Sequence, residues 1–361
     1  MKRAPIASVR LAVLGIGKMG SSMALRLRES GHDIAVWNRS ASKAHAVAAE
    51  HMGMAGQCSF SDTARGCVSS LTHEGSVVLL VLSDTAATLE VIDQVRDELH
   101  GRTVVNFSSG NPDDGRLLAA VLAAPEIGVK AYVDGAYCGP PTKARQGTGV
   151  LFLSCSDPAA IESLRPVLSA LGEVVVTGGV GTSRAIDYAV VDLALACQTS
   201  FLSNVDMLER EGVDWAQFSQ HMAKRLATVP AAVELMHSRL ADRTDAAYHT
   251  QQVATLQTVH SFWSSRLPYF EAHGIPSDFA RHMASLCERA AGGGDCGGGA
   301  HWQADVSRLQ EIMRRSCGDH APRGSTARTR GGFTSVGSRG LQRSTGPLLG
   351  GKRLLERRLR G

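Results

Sequence analysis

The chain has 361 residues, 43% of them hydrophobic and 5% aromatic, with 38 Lys plus Arg against 34 Asp plus Glu. At roughly 100 to 200 residues per domain this is two domains and a tail with enough apolar content for a core, and a wholly disordered or collagen-like chain is excluded. No run approaches the roughly 18 consecutive apolar residues of a membrane span, and the start runs into a glycine-rich turn rather than a cleavage site, so the expectation is a soluble, cytoplasmic protein.

Arg10 to Gly15 is an apolar run of strand length that leads into Gly15-Ile-Gly17-Lys-Met-Gly20. Met23, Leu25 and Leu27 then follow at near-helical spacing, Gly31 is a C-cap signal, and Asp33 to Trp37 reads as a second strand. This completes a β-turn-α-β unit within about 30 residues, the context a GxGxxG match needs. Further strand-like runs lie at Ser76 to Leu82, Thr103 to Phe107, Ala131 to Val133, Gly149 to Leu153 and Glu173 to Thr177, with helix-like segments at Ala86 to Leu99 and Asp157 to Leu171. The alternation predicts an α/β Rossmann domain, a doubly wound and mostly parallel sheet, over residues 1–177.

After Gly181 the texture changes. Residues 184–315 hold long helical patterns and hardly a strand candidate, which predicts an all-α domain over 178–315 joined to the first by a long interdomain helix. GGGDCGGG at 292–299 reads as a loop, and AHWQADVSRLQEIMRR as a final helix. From Ser316 to Gly361 the residues are Gly, Ser, Arg and Thr without period, a composition that cannot offset its ordering entropy. That tail carries ten basic and two acidic residues, while residues 1–315 carry 28 and 32. A basic tail can touch nucleic acid or an anionic membrane, but composition alone sets no specificity, and the expectation is a solvated tail and no membrane partner.

Eight cysteines show no CxxC pair, and the thirteen histidines show no HExxH or similar spacing. Buried reduced thiols and no metal are expected.

In the glycine turn, Gly15 allows the tight turn out of the strand, Gly17 lets backbone approach a pyrophosphate, and Gly20 lets the helix pack on the sheet, with Ile16, Lys18 and Met19 between them. The helix N-terminus adds free N–H groups and a positive dipole end. The second strand ends in Asn38-Arg39-Ser40, followed by Lys43, where NAD enzymes place an acid for the ribose hydroxyls. A guanidinium beside a hydroxyl suits a 2′-phosphate, so NADPH is the expected cofactor. Leu82 and Ser83 at one strand end, and Asn106 and Ser108 at the next, are expected beside the cofactor's nicotinamide half, with Ser109 on the substrate side. Ser-Gly-Asn-Pro at 109–112 is also an ordinary turn.

The run VLGIGKMGSSMALRLRESGHDIAVWNRSASKA resembles the N-terminal signature of the β-hydroxyacid dehydrogenase superfamily, whose NADP-binding domain is of the phosphogluconate dehydrogenase type, and VWNRS resembles its NADPH-dependent imine reductase branch. Further matches run through Val105 to Pro112, Val133 to Ala136 and Gly178 to Asp187, so the resemblance covers residues 9–315. It implies a homodimer with swapped helical domains, whose pocket is finished by residues around Trp215 to Met236 or Tyr248 to Trp263.

The same resemblance puts Asp187 where the dehydrogenases carry lysine, six residues after Gly181, and Val190-Val191 where they carry asparagines. Oxidising a hydroxy acid needs a base for the hydroxyl and donors for a carboxylate, which an aspartate and two valines do not supply. Reducing an imine calls for an anionic or proton-donating group near a positive nitrogen, the role expected of Asp187, with Tyr188 as an assisting hydroxyl. Asp192, five residues on, competes for the same role. Tyr137 and Cys138 replace the Val-Ser of the dehydrogenase pattern and are expected at the substrate, a small imine or carbonyl compound. The alternatives are a 3-hydroxyacid dehydrogenase-type enzyme and a non-catalytic NADP-binding scaffold acting through its tail.

Overall fold

The computed structural model describes residues 9–50, 55–72, 76–242, 254–291, 309 and 313. The glycine-rich loop at 292–299, most of the expected final helix, and the tail lie outside the described residues, as does Tyr248.

Strand β1 (Arg10–Leu14) alternates its side chains between two cores, with Leu11 and Val13 on one face of the sheet and Ala12 and Leu14 on the other. Burial on both faces is what turns a strand into a continuous apolar run, and it marks the centre of a helix-covered parallel sheet. Among the described residues the strands are β1, β2 (Asp33–Trp37), β3 (Cys58–Phe60), β4 (Val77–Leu80), β5 (Thr103–Asn106), β6 (Ala131–Cys138), β7 (Gly149–Ser154) and β8 (Gly172–Gly178). Their order is β3-β2-β1-β4-β5-β6-β7-β8, parallel throughout except where β7 runs against β6. The doubly wound sheet is therefore as expected, with β3 added at its edge.

Helices α1 (Lys18–Glu29), α2 (Ala41–Ala49), α3 (Ala64–Ser69), α4 (Thr85–Gln94), α5 (Pro112–Leu122), α6 (Pro141–Gln146) and α7 (Pro158–Leu168) link the strands. Gly31, at φ +93°, ends α1 as its sequence signalled. Arg28 on the inner face of α1 is buried, and its guanidinium donates to the carbonyls of Gly56 at 3.0 Å, Val47 at 3.4 Å and Glu50. It thereby satisfies carbonyls at the end of α2 that have no helical partner.

Helix α8 (Thr182–Arg210) is 29 residues long, and only Ser183 and Arg184 in its first turn are buried. Leu193, Leu195 and Leu202 are 54 to 68% exposed. By length and composition this one helix among the described residues would suffice to cross a membrane, although aspartates keep its sequence from being an unbroken apolar run. Beyond it come α9 (Trp215–Leu226), α10 (Val229–Asp242), α11 (Leu256–Ser264), α12 (Leu267–Ala272) and α13 (Asp278–Ala291). The described residues fall into two compact units that divide between 220 and 221. In the second, Leu256 of α11 packs with Leu286, Cys287, Ala290 and Ala291 of α13 and with Leu309.

Cys67, Cys155 and Cys287 are buried free thiols, whereas Cys58, Cys138 and Cys197 are partly exposed, so the expectation of buried thiols holds for half of the described ones.

Candidate active site

A cleft of about 800 Å³ opens at the carboxyl ends of β1, β4, β5 and β6 in the first unit. Chain order reverses between β1 and β4, and ligands of open α/β sheets bind at such a switch point; the volume is that of a small-molecule or cofactor site.

One end of the cleft is the turn from β1 into α1. Gly15, at φ +105°, has the Val81 carbonyl where its Cβ would go, and Gly20 has the Gly15 carbonyl. Gly17 has no atom within 4 Å of that position, and as N-cap of α1 it brings no capping side chain, so the first-turn N–H groups face an open cradle. This arrangement fits a pyrophosphate. Lys18 and Met19 line the cleft, but Ile16 packs into the core with 1% exposure, because the turn aims its side chain back under the sheet. Asn38 lines the cleft while its Oδ1 accepts from the Ile16 N–H at 2.9 Å and its Nδ2 donates to the Ser40 carbonyl at 3.1 Å. Part of its work is thus to hold the glycine turn. Arg39, Ser40 and Lys43 stand exposed at this end, joined by Asp62.

Toward the other end lie Leu82, Ser83, Ser108 and Ser109. Ser108 is buried, accepting at Oγ from the Leu82 N–H at 3.0 Å and donating its N–H to Asn106 Oδ1 at 3.0 Å. Asn106 is itself buried beneath the loop and lines no part of the cleft, so its expected contact with cofactor is corrected to support of Ser108. Asp84 caps α4 through the Ala87 N–H at 2.8 Å and accepts from Ser83 Oγ at 2.8 Å, and these two bonds hold its carboxyl below the usual carboxylate range.

Asp187 and Tyr188 both line the cleft. Asp187 is half-buried, its Oδ1 has no hydrogen-bond partner, and burial pushes its carboxyl up from the usual range. Tyr188 is 52% exposed. Asp192 is exposed and outside the cleft, since five residues turn a helix by about 140° past one revolution. Tyr137 lines the cleft with its ring, but its hydroxyl donates to the Leu171 carbonyl at 3.0 Å and is committed there. Cys138 is not among the residues that line the cleft; burial and then the Asp187 charge raise its thiol, which places the two within electrostatic reach.

Several lining residues had no sequence signal strong enough to single them out. Ala87, Glu90, Val91 and Gln94 form one face of α4 at helical spacing, and their mixed polarity hid it. Arg184, one turn before Asp187, reaches the cleft floor from α8.

Residues 10–179 match the NAD binding domain of 6-phosphogluconate dehydrogenase, and residues 179–315 match the NADPH-dependent reductive aminase-like C-terminal domain. The chain is 22% identical over 308 residues to the NADPH-dependent reductive aminase of Aspergillus oryzae, spanning 85% of this chain and 98% of that one. It is 27% identical over 186 residues to the 2-hydroxy-3-oxopropionate reductase of Escherichia coli, spanning 50% and 59%. The solved imine reductase from Myxococcus stipitatus in complex with NADP+ shares the fold at a TM-score of 0.73 and 24% identity, over 84% of this chain and 99% of that one.

Proposed function

We propose that this protein, in which a 6-phosphogluconate dehydrogenase-type NAD binding domain leads into a reductive aminase-like C-terminal domain, is an NADPH-dependent oxidoreductase that reduces C=N bonds. The observation that carries this reading is Asp187, a half-buried carboxyl with an unpaired oxygen, raised by burial, in a cleft with the anatomy of a dinucleotide site. The match to a reductive aminase, over 85% of this chain and 98% of that one, supports it, and the E. coli relative, matched over half of this chain, leaves the hydroxy-acid reading second.

NADPH, when bound, would supply the hydride that reduces the imine carbon. Of the residues lining the cleft, Gly15, Gly17 and Gly20, with Lys18 and Met19, would hold the pyrophosphate; Arg39, Ser40 and Lys43 would hold the 2′-phosphate; Leu82, Ser83 and Ser108 would border the nicotinamide ribose. Asp187 holds a proton at its carboxyl and gives it to the imine nitrogen, or, ionised, pairs with an iminium nitrogen already protonated in solution. On the donor route the hydride and the carboxyl's proton together turn C=N into an amine and the carboxyl regains its proton from solvent; on the ion-pairing route the iminium brings its own proton and the carboxylate is unchanged. A carboxyl raised by burial suits the donor role, because a larger share is protonated near neutrality. Tyr188 assists as a second hydroxyl, and Ser109 and the Tyr137 ring border the substrate, a small imine or the carbonyl from which it forms.

We further propose that the enzyme is a cytoplasmic homodimer with exchanged helical domains, divided functionally at residues 177 and 178, in which a second copy covers the exposed leucines of α8. A monomeric mass in solution would reject that part.

The test is NADPH consumption with a panel of small cyclic imines, run beside NADP+-dependent oxidation of 3-hydroxy acids, for the wild type and Asp187→Ala. Imine turnover that falls at least about tenfold in the variant, a loss of about 1.4 kcal/mol of transition-state stabilisation, supports reaction and residue together. Hydroxy-acid oxidation in its place rejects the imine reading. A chain truncated after residue 315 should keep its turnover; tight NADPH binding without turnover on either panel brings the scaffold reading forward.

A further inference from the structure

A buried polar chain connects the first turn of α8 to the loop at the nicotinamide end of the cleft. Its centre is Asp134 in β6, wholly buried, where a carboxylate needs a countercharge and hydrogen bonds. Arg184 supplies them, its Nε donating to Oδ1 at 2.9 Å and Oδ2 at 3.1 Å, with the arginine itself 2% exposed. Ser183 Oγ donates to the Asp134 carbonyl at 3.0 Å. On the other side, the Tyr132 hydroxyl donates to Asp134 Oδ1 at 2.9 Å and accepts from Asn106 Nδ2 at 3.4 Å. Asn106 in turn holds the N–H of Ser108.

We propose that Arg184 and Asp134 are positioning residues for the reaction: their ion pair fixes the first turn of α8, and with it Asp187, while the Tyr132–Asn106–Ser108 chain ties that turn to the loop bordering the nicotinamide. The proposal rests on the reading of Asp187 given above. Residues three apart share a helix face, so whatever sets Arg184 sets where Asp187 points. The neighbouring backbone makes room for the guanidinium: a Cβ at Gly110 would strike Arg184 Nη1, and one at Gly115 would strike the Asp134 carboxylate and come within 3.0 Å of Arg184 Nε. A well-packed apolar pair would often stabilise a fold at least as well as a buried ion pair. Two charges kept one turn from Asp187 are therefore better explained by the orientation they impose than by the stability they add.

Arg184→Lys keeps the charge and loses the Nε donor that bridges both oxygens of Asp134; Tyr132→Phe removes one hydroxyl; neither leaves a bare carboxylate in the core, as Arg184→Ala would. In the cofactor-free protein, amide hydrogen exchange should speed up about tenfold at both 185–190 and 108–110 in Arg184→Lys, and at 108–110 alone in Tyr132→Phe. With an imine substrate, kcat should fall about tenfold in Arg184→Lys while KM and the NADPH Kd, read from fluorescence, stay within about threefold. Unchanged exchange in both segments of Arg184→Lys overturns the proposal, and so does an unchanged kcat while Asp187→Asn abolishes turnover. If Asp187→Asn leaves imine reduction intact, the reading of Asp187 has failed, and exchange alone decides the coupling: loosening of both segments upholds it and its absence overturns it.

Discussion

The carbonyl oxygen of Gly15 occupies the space that a Cβ on Gly20 would need, so the start of α1 rests on the end of β1 backbone against backbone. Gly15 is bound in the same way against the Val81 carbonyl and adopts φ +105°, which side chains resist. Gly17 differs from both: its φ is −78° and the space beyond its Cα is open. The fold requires two of the three glycines, while the third leaves open the space that the proposed pyrophosphate would take.

Gly17→Ala should therefore melt like the wild type and bind NADPH about tenfold more weakly, because a methyl group enters the cradle and nothing else changes. Gly20→Ala should lose about 1–3 kcal/mol to overpacking with no cofactor present, several degrees in Tm. Thermal melts of the cofactor-free variants beside a fluorescence titration with NADPH separate the two. Equal melting losses would mean that Gly17 is structural too.

Arg39 stands exposed at the end of the cleft proposed to take the adenosine ribose. A charge-assisted bond to a phosphate contributes about 1.5–3 kcal/mol, so Arg39→Ala should weaken NADPH binding about 10- to 100-fold and leave NADH nearly unaffected. Exposure makes the contact sensitive to screening, and the NADPH affinity of the wild type should fall with added salt more than that of the variant. Equal losses for the two cofactors would remove Arg39 from the 2′-phosphate site.

Strands buried on both faces were legible in the sequence, because dual burial forces an unbroken apolar run: β2 has the expected bounds, and β4 and β5 fall inside the expected runs. β3 was not, being three residues at the sheet edge with Phe60 exposed. β6 continues five residues past the expected Val133 through Asp134 and Gly135, whose polarity and small size end an apolar run while the backbone goes on to pair with β7. The glycine turn and the end of β2 could be read as a site because their residues are neighbours in sequence. The α4 face and Arg184 could not, since folding alone brings them to the cleft, and Ile16 and Asn106, which sit beside site residues in sequence, are buried away from it, while Cys138 lies outside its lining.

Arg28 tests the first domain's architecture independently of any ligand. Its guanidinium satisfies three carbonyls in a buried site between α1 and the end of α2. Arg28→Ala leaves those acceptors unpaired and a void where the side chain lay, and should cost about 3 kcal/mol or more. For a unit of this size that is a Tm lower by about 6–12 °C. Arg28→Lys, which keeps a donor but not the fork, should fall between the two. A loss below about 1 °C for Arg28→Ala would show that water takes over the carbonyls.

Asp187 links stability to activity with opposite signs. Burial raises its carboxyl above the unfolded value, so the folded protein disfavours the ionised form. The resulting penalty is absent below the ordinary carboxylate pKa of about 4, grows as pH rises toward the raised value, and is fully present above it. The cofactor-free Asp187→Asn protein should then melt higher than the wild type near neutrality, with the gain shrinking toward zero as the pH is lowered to about 4. Turnover should move the other way: the wild-type rate falls as pH rises through the raised pKa and the donor loses its proton, while Asp187→Asn is slow and loses that limb of the profile. Asp192→Asn, on the exposed face of α8, should change neither the melt nor the profile. A variant Asp187→Asn that melts lower at neutral pH would mean that the carboxylate is held by a favourable contact and that burial is not what raises it.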